Sequence, residues 1–210
     1  MTQPHLHVLD HPLIGHMMAQ ARDRATPSSV FRGLLYRVAG LLAYEALRTA
    51  PHHAVRVQTP LEEMDGVQLQ LPITIVPILR AGLGLAAGML ELLPEARMGH
   101  IGLFRNEETL EPVTYYENLP RDVEAGPVLL VDPMLATGGS ASEGIRRLRK
   151  RGCKDIRFVC LVAAPEGVAK LHDVDPKVPI TAAALDRQLN EKGYILPGLG
   201  DAGDRLYGTG

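Results

Sequence analysis

Residues 126–140 have the sequence GPVLLVDPMLATGGS, which is typical of a buried strand followed by an acidic residue, a glycine-rich turn and the start of a helix. The branched apolar run from Val128 to Val131 is typical of a parallel strand that is buried on both faces of its sheet. Asp132 follows at the point where such a strand leaves the sheet, which is where α/β proteins bind their ligands. The sequence therefore predicts an α/β fold with a functional site at the end of this strand.

The segment after the strand predicts an anion-binding turn. Ala136–Ser140 combines two glycines with two hydroxyl side chains at the start of a predicted helix. Glycines let the backbone curl so that its N–H groups point at one place, and the helix N-terminus adds partial positive charge. Such a terminus stabilises an exposed anion by ~0.3–1 kcal/mol. The alternative is an ordinary strand–helix turn in which Thr137 or Ser140 only caps the helix.

Asp132 favours the first of these interpretations. It lies five residues before Thr137 and therefore has no capping role. A carboxylate beside a phosphate site suits a ligand that carries hydroxyl groups or a metal ion as well as phosphate. The lysine of a Walker loop, GxxxxGK[ST], is absent, which argues against nucleoside triphosphate hydrolysis.

A second strand and turn have the same character. Ile73–Leu79 predicts another buried strand, and Arg80 stands at its end before the glycines of RAGLG. An arginine guanidinium forms paired bonds to phosphate oxygens, and glycines let backbone N–H groups approach the same anion. Each charge-assisted bond contributes roughly 1.5–3 kcal/mol. Taken alone the Gly-x-Gly pattern is weak evidence, and a structural arginine is the alternative.

The stretch VDPMLATGGS at residues 131–140 resembles the phosphoribosyl-pyrophosphate (PRPP) motif of type I phosphoribosyltransferases, in the form used by uracil phosphoribosyltransferases. Most type I enzymes carry two adjacent acids here, whereas Pro133 takes the second place, as in the uracil-type variant. The resemblance covers nearly the whole chain. It implies a type I phosphoribosyltransferase-like, mostly parallel sheet flanked by helices, with a β-hairpin arm and a C-terminal base-binding hood.

The same resemblance implies the position of the PRPP site. Arg80 in VPILRAGLG is expected to bind pyrophosphate, and Arg105 in LFRNEETLEPVTYYENLP belongs to a mobile catalytic loop. Mg²⁺ is the implied cofactor; it is expected to arrive with PRPP, and no side-chain metal ligands are assigned. The implied catalytic residues are Asp132, Arg105 and Asp201. The implied PRPP-binding residues are Arg80, Arg105, Asp132, Pro133, Met134, Leu135, Ala136, Thr137, Gly138, Gly139, Ser140 and Asp201.

The loop after Arg105 also indicates function from its own residues. Roughly eighteen residues, Tyr115 and Tyr116 among them, have no helix or strand pattern, and such a length in a compact domain is typical of a lid. Closure of a lid over PRPP would exclude water, whose attack on PRPP is the competing reaction.

The C-terminal stretch at residues 193–209, GYILPGLGDAGDRLYGT, predicts a shaped loop because it is rich in glycine and contains Pro197. A frayed tail is the alternative, but a disordered tail would not need the apolar side chains at positions 194–196 and 199. The resemblance implies that this hood is the uracil site. The implied uracil-binding residues are Ile195, Gly200, Asp201 and Ala202.

The N-terminal part predicts two helices and a ribbon. HPLIGHMMAQARD predicts a short helix, and a longer one is expected from Thr26, as its N-cap, to about Arg48. Alternating residues at 55–60 and 67–71, around Asp65-Gly66, predict a β-hairpin. In the resembled family such an arm embraces a neighbouring subunit, which implies a homodimer or a higher homo-oligomer. A metal site at His5, His7 and His11 is disfavoured because they lack partners at ligand spacing.

The middle of the chain alternates strands with helices. A helix that Gly152 stops is followed by a strand at 156–162, a helix at 166–171 and a strand at 180–184, so the sheet should be mostly parallel. The expected organisation is a single domain. It comprises N-terminal helices and a β-arm at 1–72, an α/β core at 73–185 and a uracil-binding hood at 186–210.

Composition excludes several classes of protein. The net charge is −2, and the basic run at 146–151 is better explained as a solvated helix face, which argues against nucleic acid as a partner. Cys153 and Cys160 have no CxxC spacing and suit a reducing compartment. The longest apolar run, Leu83–Leu90, is too short to span a bilayer, and no signal peptide pattern opens the chain. We therefore expect a cytoplasmic protein without a membrane or nucleic-acid partner.

The resemblance implies transfer of a phosphoribosyl group from PRPP to uracil, with UMP and pyrophosphate as products. One alternative is a pyrimidine-responsive RNA-binding regulator on the same fold, which the slight net acidity disfavours. Another is a PRPP transferase for a different base, such as orotate or hypoxanthine. GTP is a candidate effector because some members of the family respond to it, although the sequence shows no separate GTP motif.

Overall fold

The computed structural model describes residues 5–70, 72–105 and 112–209, in which helices cover both faces of a mostly parallel sheet. The helices are α1 (Pro12–Arg22), α2 (Ser28–Ala46), α3 (Leu83–Leu92), α4 (Gly139–Lys150), α5 (Pro165–Val174) and α6 (Ala202–Tyr207). The strands are β1 (Leu6–Val8), β2 (His52–Gln58), β3 (Glu63–Leu69), β4 (Thr74–Leu79), β5 (Arg97–Met98), β6 (His100–Arg105), β7 (Pro112–Asn118), β8 (Val128–Val131), β9 (Met134–Leu135), β10 (Ile156–Ala163), β11 (Ile180–Leu185), β12 (Gln188–Leu189) and β13 (Ile195–Leu196).

The strand predicted from the opening stretch, β8, lies at the centre of the sheet. Its neighbours are β4 and β10, and the strand order is β1-β11-β10-β8-β4-β6-β7. The pairs along this path are parallel except β6 with β7, which is antiparallel. Short strands β5 and β9 pair with β4 and β10. The predicted mostly parallel sheet is confirmed.

Alternating side chains of β8 divide the core into two apolar clusters. Leu129 and Val131 pack with α1, α2, α3 and α6 on one face of the sheet. Val128 and Leu130 pack with α4 and α5 on the other face. All four side chains are fully buried, and burying each contributes roughly 1.5–3 kcal/mol. Because both faces of β8 are covered, the strand consists entirely of apolar residues.

The start of α2 differs from the prediction. Pro27, rather than Thr26, occupies the N-cap position, with φ −61° and ψ 150°. The Thr26 hydroxyl instead donates to the Gln20 carbonyl oxygen at 2.6 Å and closes the turn between α1 and α2. The helix also ends at Ala46 instead of near Arg48.

The predicted hairpin exists, but its turn is elsewhere. Strands β2 and β3 pair along their whole length, and the turn lies at Thr59–Glu62. The Thr59 hydroxyl accepts bonds from the N–H groups of Leu61 and Glu62 and shapes this turn. Asp65 and Gly66, which were expected near the turn, lie inside β3, where Asp65 pairs with Arg56 at 2.9 Å.

Part of the predicted lid is a strand. Tyr115 and Tyr116 belong to β7, which pairs with β6 through a register shift between Gly102 and Leu103. The shift interrupts the alternation of side chains, and for this reason the sequence did not indicate a strand. Residues 106–111, the remaining part of the predicted lid, lie outside the described residues.

The sheet also has an edge strand that the sequence did not predict. β1 is three residues long and pairs in parallel with β11. Within residues 5–70, 72–105 and 112–209, no helix has both the length and the apolar character needed to cross a membrane.

Candidate active site

The two predicted anion-binding turns meet at one edge of the sheet. Strands β4 and β8 are parallel neighbours, and Pro77 pairs with Val131 directly before Asp132. The turn after Arg80 is packed against β8, because a Cβ on Gly82 would lie 2.5 Å from the Val131 carbonyl oxygen. Parallel strands thus place Arg80 and Asp132 at the same edge of the sheet, although they are far apart in the sequence.

The turn before α4 is shaped by its two glycines. Gly138 is the N-cap with φ +77°, and a Cβ there would lie 2.7 Å from the Gly167 carbonyl oxygen. At Gly139, by contrast, the nearest described atom to an added Cβ would be Thr137 Oγ1, at 3.9 Å. No described side chain caps the helix, so the alternative of a simple cap by Thr137 or Ser140 is wrong. The helix N-terminus opens onto space that suits an anion.

Asp132 is a carboxyl group at the end of the central strand. Its Oδ1 accepts a long bond, 3.4 Å, from the Met134 N–H. Burial raises the pKa of Asp132 to about 7, the Met134 bond opposes this rise, and the negative charge of Asp201 adds to it. Near neutral pH the carboxyl group therefore exists in both forms, and a nearby positive charge would favour the carboxylate.

A cavity of about 260 Å³ joins this strand end to the hood. The core contributes Ala81, Asp132, Met134 and Ala136 to its lining, and the hood contributes Gly193, Tyr194, Ile195, Gly200, Asp201, Ala202 and Gly203. Since a water molecule takes about 30 Å³ of liquid volume, the cavity has room for a small ring compound. The structure thus brings Asp132 together with all four residues predicted to bind the base.

The other predicted PRPP residues are placed around this cavity rather than in its lining. Residues 137–140 form the turn at the start of α4. Pro133 and Leu135 are buried, and their carbonyl oxygens accept bonds from β10 and from Ala164. They therefore hold the turn against the sheet.

Asp201 combines two positions that matter for the site. It lines the cavity, and its Oδ1 accepts a 2.9 Å bond from the Asp204 N–H as the N-cap of α6. The carboxyl group is thus oriented by a helix, although the sequence predicted only a loop here.

Tyr207 is a site residue that the sequence analysis missed. Its hydroxyl donates to the Arg80 carbonyl oxygen at 3.0 Å, and the Arg80 guanidinium carbon lies 5.7 Å from the centre of its ring. Leu206 packs on the same turn, since a Cβ on Gly84 would lie 2.7 Å from its Cδ1. A six-residue helix gives too weak a pattern to reveal this contact in the sequence.

Arg105 stands at the end of β6, on the same edge of the sheet. Gly102, three residues earlier, pairs with Leu79 directly before Arg80. The Arg105 side chain and residues 106–111 lie outside the described part of the structure. The phosphate contact of Arg105 and the closing of the lid therefore stay predictions.

The described residues offer few ligands for a metal ion. No group of three or more His, Cys, Asp or Glu side chains with suitable geometry occurs in residues 5–70, 72–105 and 112–209. His11 caps α1 by accepting from the Leu13 N–H, and His7 lies 3.3 Å from Glu45. Asp132 and Asp201 are the acids in the cavity lining, which fits a cation that keeps water and substrate oxygens as ligands.

Comparison with known proteins agrees with this geometry. The family model described as uracil phosphoribosyltransferase matches residues 8–209. A uracil phosphoribosyltransferase of Bacillus velezensis is 55% identical over 205 residues, which cover 97% of this chain and 98% of that protein. One from Shouchella clausii is 53% identical over 209 residues, with the same coverage.

Solved structures show the same fold. The AQ2163 protein from Aquifex aeolicus superimposes with a TM-score of 0.91 at 40% identity, covering 96% of this chain and 97% of that one. An adenine phosphoribosyl transferase from Trypanosoma brucei, in complex with AMP, pyrophosphate and ribose-5-phosphate, shares the fold at 14% identity, with a TM-score of 0.59 and coverage of 87% and 84%. The chain has the type I phosphoribosyltransferase fold and belongs to the uracil phosphoribosyltransferase family.

Proposed function

We propose that this chain transfers the 5-phosphoribosyl group of PRPP to N1 of uracil, giving UMP and pyrophosphate. The observation that carries the proposal is the cavity of about 260 Å³ in which Asp132 of the core faces the glycine-rich hood. The glycine turn before α4 follows Ala136 of this lining, and its helix N-terminus is suited to an anion, which supports a phosphate site next to the base site.

The phosphates of PRPP are assigned to the two turns. The 5′-phosphate accepts bonds from backbone N–H groups at residues 138–140 and from the Thr137 hydroxyl, in front of α4. Arg80, which is exposed at the end of β4, binds the pyrophosphate, and Arg105 assists from the end of β6. Both guanidinium groups neutralise the charge that builds on the departing pyrophosphate.

In the reaction, the bond between C1′ and the pyrophosphate oxygen breaks, and a bond between C1′ and uracil N1 forms. Positive charge develops on the ribose ring during this exchange, and the Asp132 carboxylate stabilises it. The N1 proton leaves as the new bond forms, and Asp201 is our candidate for accepting it. Catalysis then depends mainly on orientation and electrostatics.

The base is selected by backbone groups of the hood. Ile195 is buried and offers an apolar wall, while Gly200 lines the cavity with φ +80°, a conformation that residues with a Cβ rarely adopt. Fixed N–H and C=O groups can bind a pyrimidine edge much as a complementary base does. An analogue with the opposite donor and acceptor pattern leaves these groups unpaired and is rejected.

Mg²⁺ is proposed as the cofactor. The Asp132 and Asp201 carboxylates would hold it through water ligands, and the ion would neutralise charge on the pyrophosphate. Removal of the ion with EDTA should abolish turnover, and added Mg²⁺ should restore it. The melting temperature should stay the same, because the described side chains form no metal cluster. A large fall in melting temperature would instead indicate a structural metal.

We also propose a homodimer formed through the ribbon of β2 and β3. Val57, Met64 and Val67 on this ribbon are 41%, 50% and 73% exposed. A ribbon of two strands is marginally stable in water, so its apolar side chains need a partner. A second copy of this chain supplies one with the same surface.

The test of the function is a base-competition assay with PRPP and Mg²⁺ that follows pyrophosphate release. Turnover of uracil, but not of orotate, cytosine, hypoxanthine or adenine, is the expected result. Turnover of another base would retain the PRPP site and discard the assignment of the hood. PRPP binding without turnover of any base would favour a regulator. Repeating the assay with and without GTP tests the candidate effector.

A further inference from the structure

Two arginines attach the hood, residues 186–209, to the C-terminal end of α1. Arg22 donates to both carboxylate oxygens of Asp186, at 2.7 and 2.6 Å. Arg205 donates to the carbonyl oxygens of Ala21, Leu199 and Asp23. Its guanidinium carbon also lies 4.2 Å from the centre of the Phe31 ring. The first helix of the chain therefore determines where the last segment lies.

The Arg22–Asp186 ion pair converges on a single residue of the hood, Gly198. Arg22 Nη1 donates to the Gly198 carbonyl oxygen at 2.7 Å, and Asp186 Oδ2 accepts from the Gly198 N–H at 2.8 Å. Both backbone polar groups of Gly198 are thus fixed by one ion pair. Gly198 has φ +65°, and a Cβ there would lie 2.2 Å from the Ile195 carbonyl oxygen, so the turn is tight.

The turn at Gly198, which this ion pair holds, lies next to the cavity. Ile195 and Gly200, on either side of Gly198, line the cavity, whereas Arg22 and Asp186 do not. Asp186 is itself attached to the sheet, because its N–H donates to the Ala163 carbonyl oxygen at 2.8 Å. Its side chain is 6% exposed and that of Arg22 is 23% exposed. The ion pair therefore connects the rigid sheet to the peptide groups that face the ligand.

A buried ion pair is a poor source of stability, since apolar residues of similar volume often replace one without loss. Its contribution to positioning is larger, because two parallel bonds from a guanidinium fix both the distance and the orientation of the carboxylate. We propose that Arg22 and Asp186 are positioning residues for the base. They hold residues 195–200 at the spacing that uracil requires, and so they set uracil affinity and selectivity without contacting it. This inference rests on the proposed function, because it takes the cavity as the base site.

The test compares Michaelis constants for the two substrates. In Asp186→Asn and Arg22→Lys, the KM for uracil should rise roughly 10- to 100-fold, while the KM for PRPP stays within about twofold. The preference for uracil over cytosine should fall as well, because a loosened turn no longer fixes the N–H and C=O groups that distinguish the two bases. Arg22→Lys keeps the charge and loses the paired geometry, so it provides the test if Asp186→Asn does not fold.

Two further variants separate positioning from stability. Arg149→Met removes a comparable ion pair, in which Arg149 donates to Asp175 at 2.7 and 2.6 Å on the α4–α5 side of the sheet. It should lower the melting temperature and leave both KM values unchanged. The double variant Arg22→Met/Asp186→Leu leaves no unpaired charge, so its melting temperature should lie above that of Asp186→Leu alone, without any recovery of the KM for uracil.

The proposal is overturned if the Arg22 and Asp186 variants keep the wild-type KM for uracil, or if both KM values rise equally. It is also overturned if Arg149→Met produces the same change in the KM for uracil. In each of these cases the wild type still uses uracil, so the proposed function stands. A wild type that does not turn over uracil would instead contradict the proposed function.

Discussion

Gly139 is the residue at which ligand binding and folding can be separated most clearly. An added Cβ meets open space in the described structure, and alanine favours a helix over glycine by roughly 0.5–1 kcal/mol. Gly139→Ala should therefore keep or raise the stability to urea. Its methyl group would stand where the 5′-phosphate binds, so the KM for PRPP should rise about 10- to 100-fold. An unchanged KM would place the phosphate elsewhere.

Gly138→Ala is the matched control for that substitution. It adds the same methyl group one residue earlier, where φ is +77° and the Gly167 carbonyl oxygen would lie 2.7 Å away. This variant should lose more than about 1 kcal/mol of stability, because both the backbone conformation and the contact are unfavourable.

Asp132→Asn should lower the activity of the protein and raise its stability at pH 8. The pKa of Asp132 rises from 3.8 to about 7 in the folded protein, so the native state binds this proton more tightly than the unfolded chain does. Wild-type stability therefore falls between pH 4 and pH 7 as the buried carboxyl ionises. The asparagine variant avoids this loss and should be about 1–3 kcal/mol more stable at pH 8, but not at pH 4, because one pKa unit corresponds to 1.36 kcal/mol.

The same variant should lose turnover roughly 10²- to 10³-fold, because it removes the charge that stabilises the ribose. Urea unfolding at pH 4 and pH 8, together with the pyrophosphate-release assay, checks both effects. Equal stability of the two proteins at pH 8 would show that Asp132 is ionised there at no cost to folding. Retained turnover would remove Asp132 from the reaction.

Among the elements, α6 links the hood to the turn that begins at Arg80, through Tyr207. Tyr207→Phe keeps the ring over Arg80 and removes the bond to the Arg80 carbonyl oxygen, which contributes about 0.5–1.5 kcal/mol. The KM for PRPP should rise about 2- to 10-fold, and Tyr207→Leu should raise it further by removing the ring as well. Tyr44→Phe, at an exposed tyrosine on α2, is the control. If Tyr207→Phe matches the wild type, the hydroxyl does not position the turn.

The elements that the sequence predicted well are those with local signals. β8 was predicted because a strand buried on both faces requires a run of apolar residues. α4 was predicted because the turn before it contains two consecutive glycines. β1, β7 and α6 were missed because their stability depends on distant partners: β1 on β11, β7 on a shifted register with β6, and α6 on the Arg80 turn. In the site, the sequence predicted Asp132 and four hood residues that line the same cavity, whereas the Tyr207 contact requires the assembled fold.

At the scale of the whole molecule, the ribbon of β2 and β3 predicts the assembly. Val67 is the most exposed large apolar side chain in these two strands. Val67→Glu places a charge at this position, and burying that charge between two copies would be unfavourable. We expect a dimer for the wild type and a monomer for Val67→Glu in sedimentation velocity. Lys150→Glu, at an exposed position on α4, should leave the dimer intact. Because Val67 lies on the opposite face of the ribbon from Val57 and Met64, a dimeric Val67→Glu protein would show that the face of Val67 is not the interface.

The pairing of β1 with β11 joins two parts of the chain that are synthesised well apart in time. Leu6 pairs with Ile180, and the end of α1 is bound by Asp186 and Arg205 of the hood. At a synthesis rate of ~5–20 residues per second, those partners emerge roughly 10–35 s after β1. Until then β1 has no strand to pair with, and the end of α1 lacks its bonds to the hood, although α2 can already pack on the apolar face of α1. β1 and the end of α1 therefore reach some of their native contacts only after residues 180–205 have been made, and a chain that stops before the hood lacks the bonds from Asp186 and Arg205 to α1.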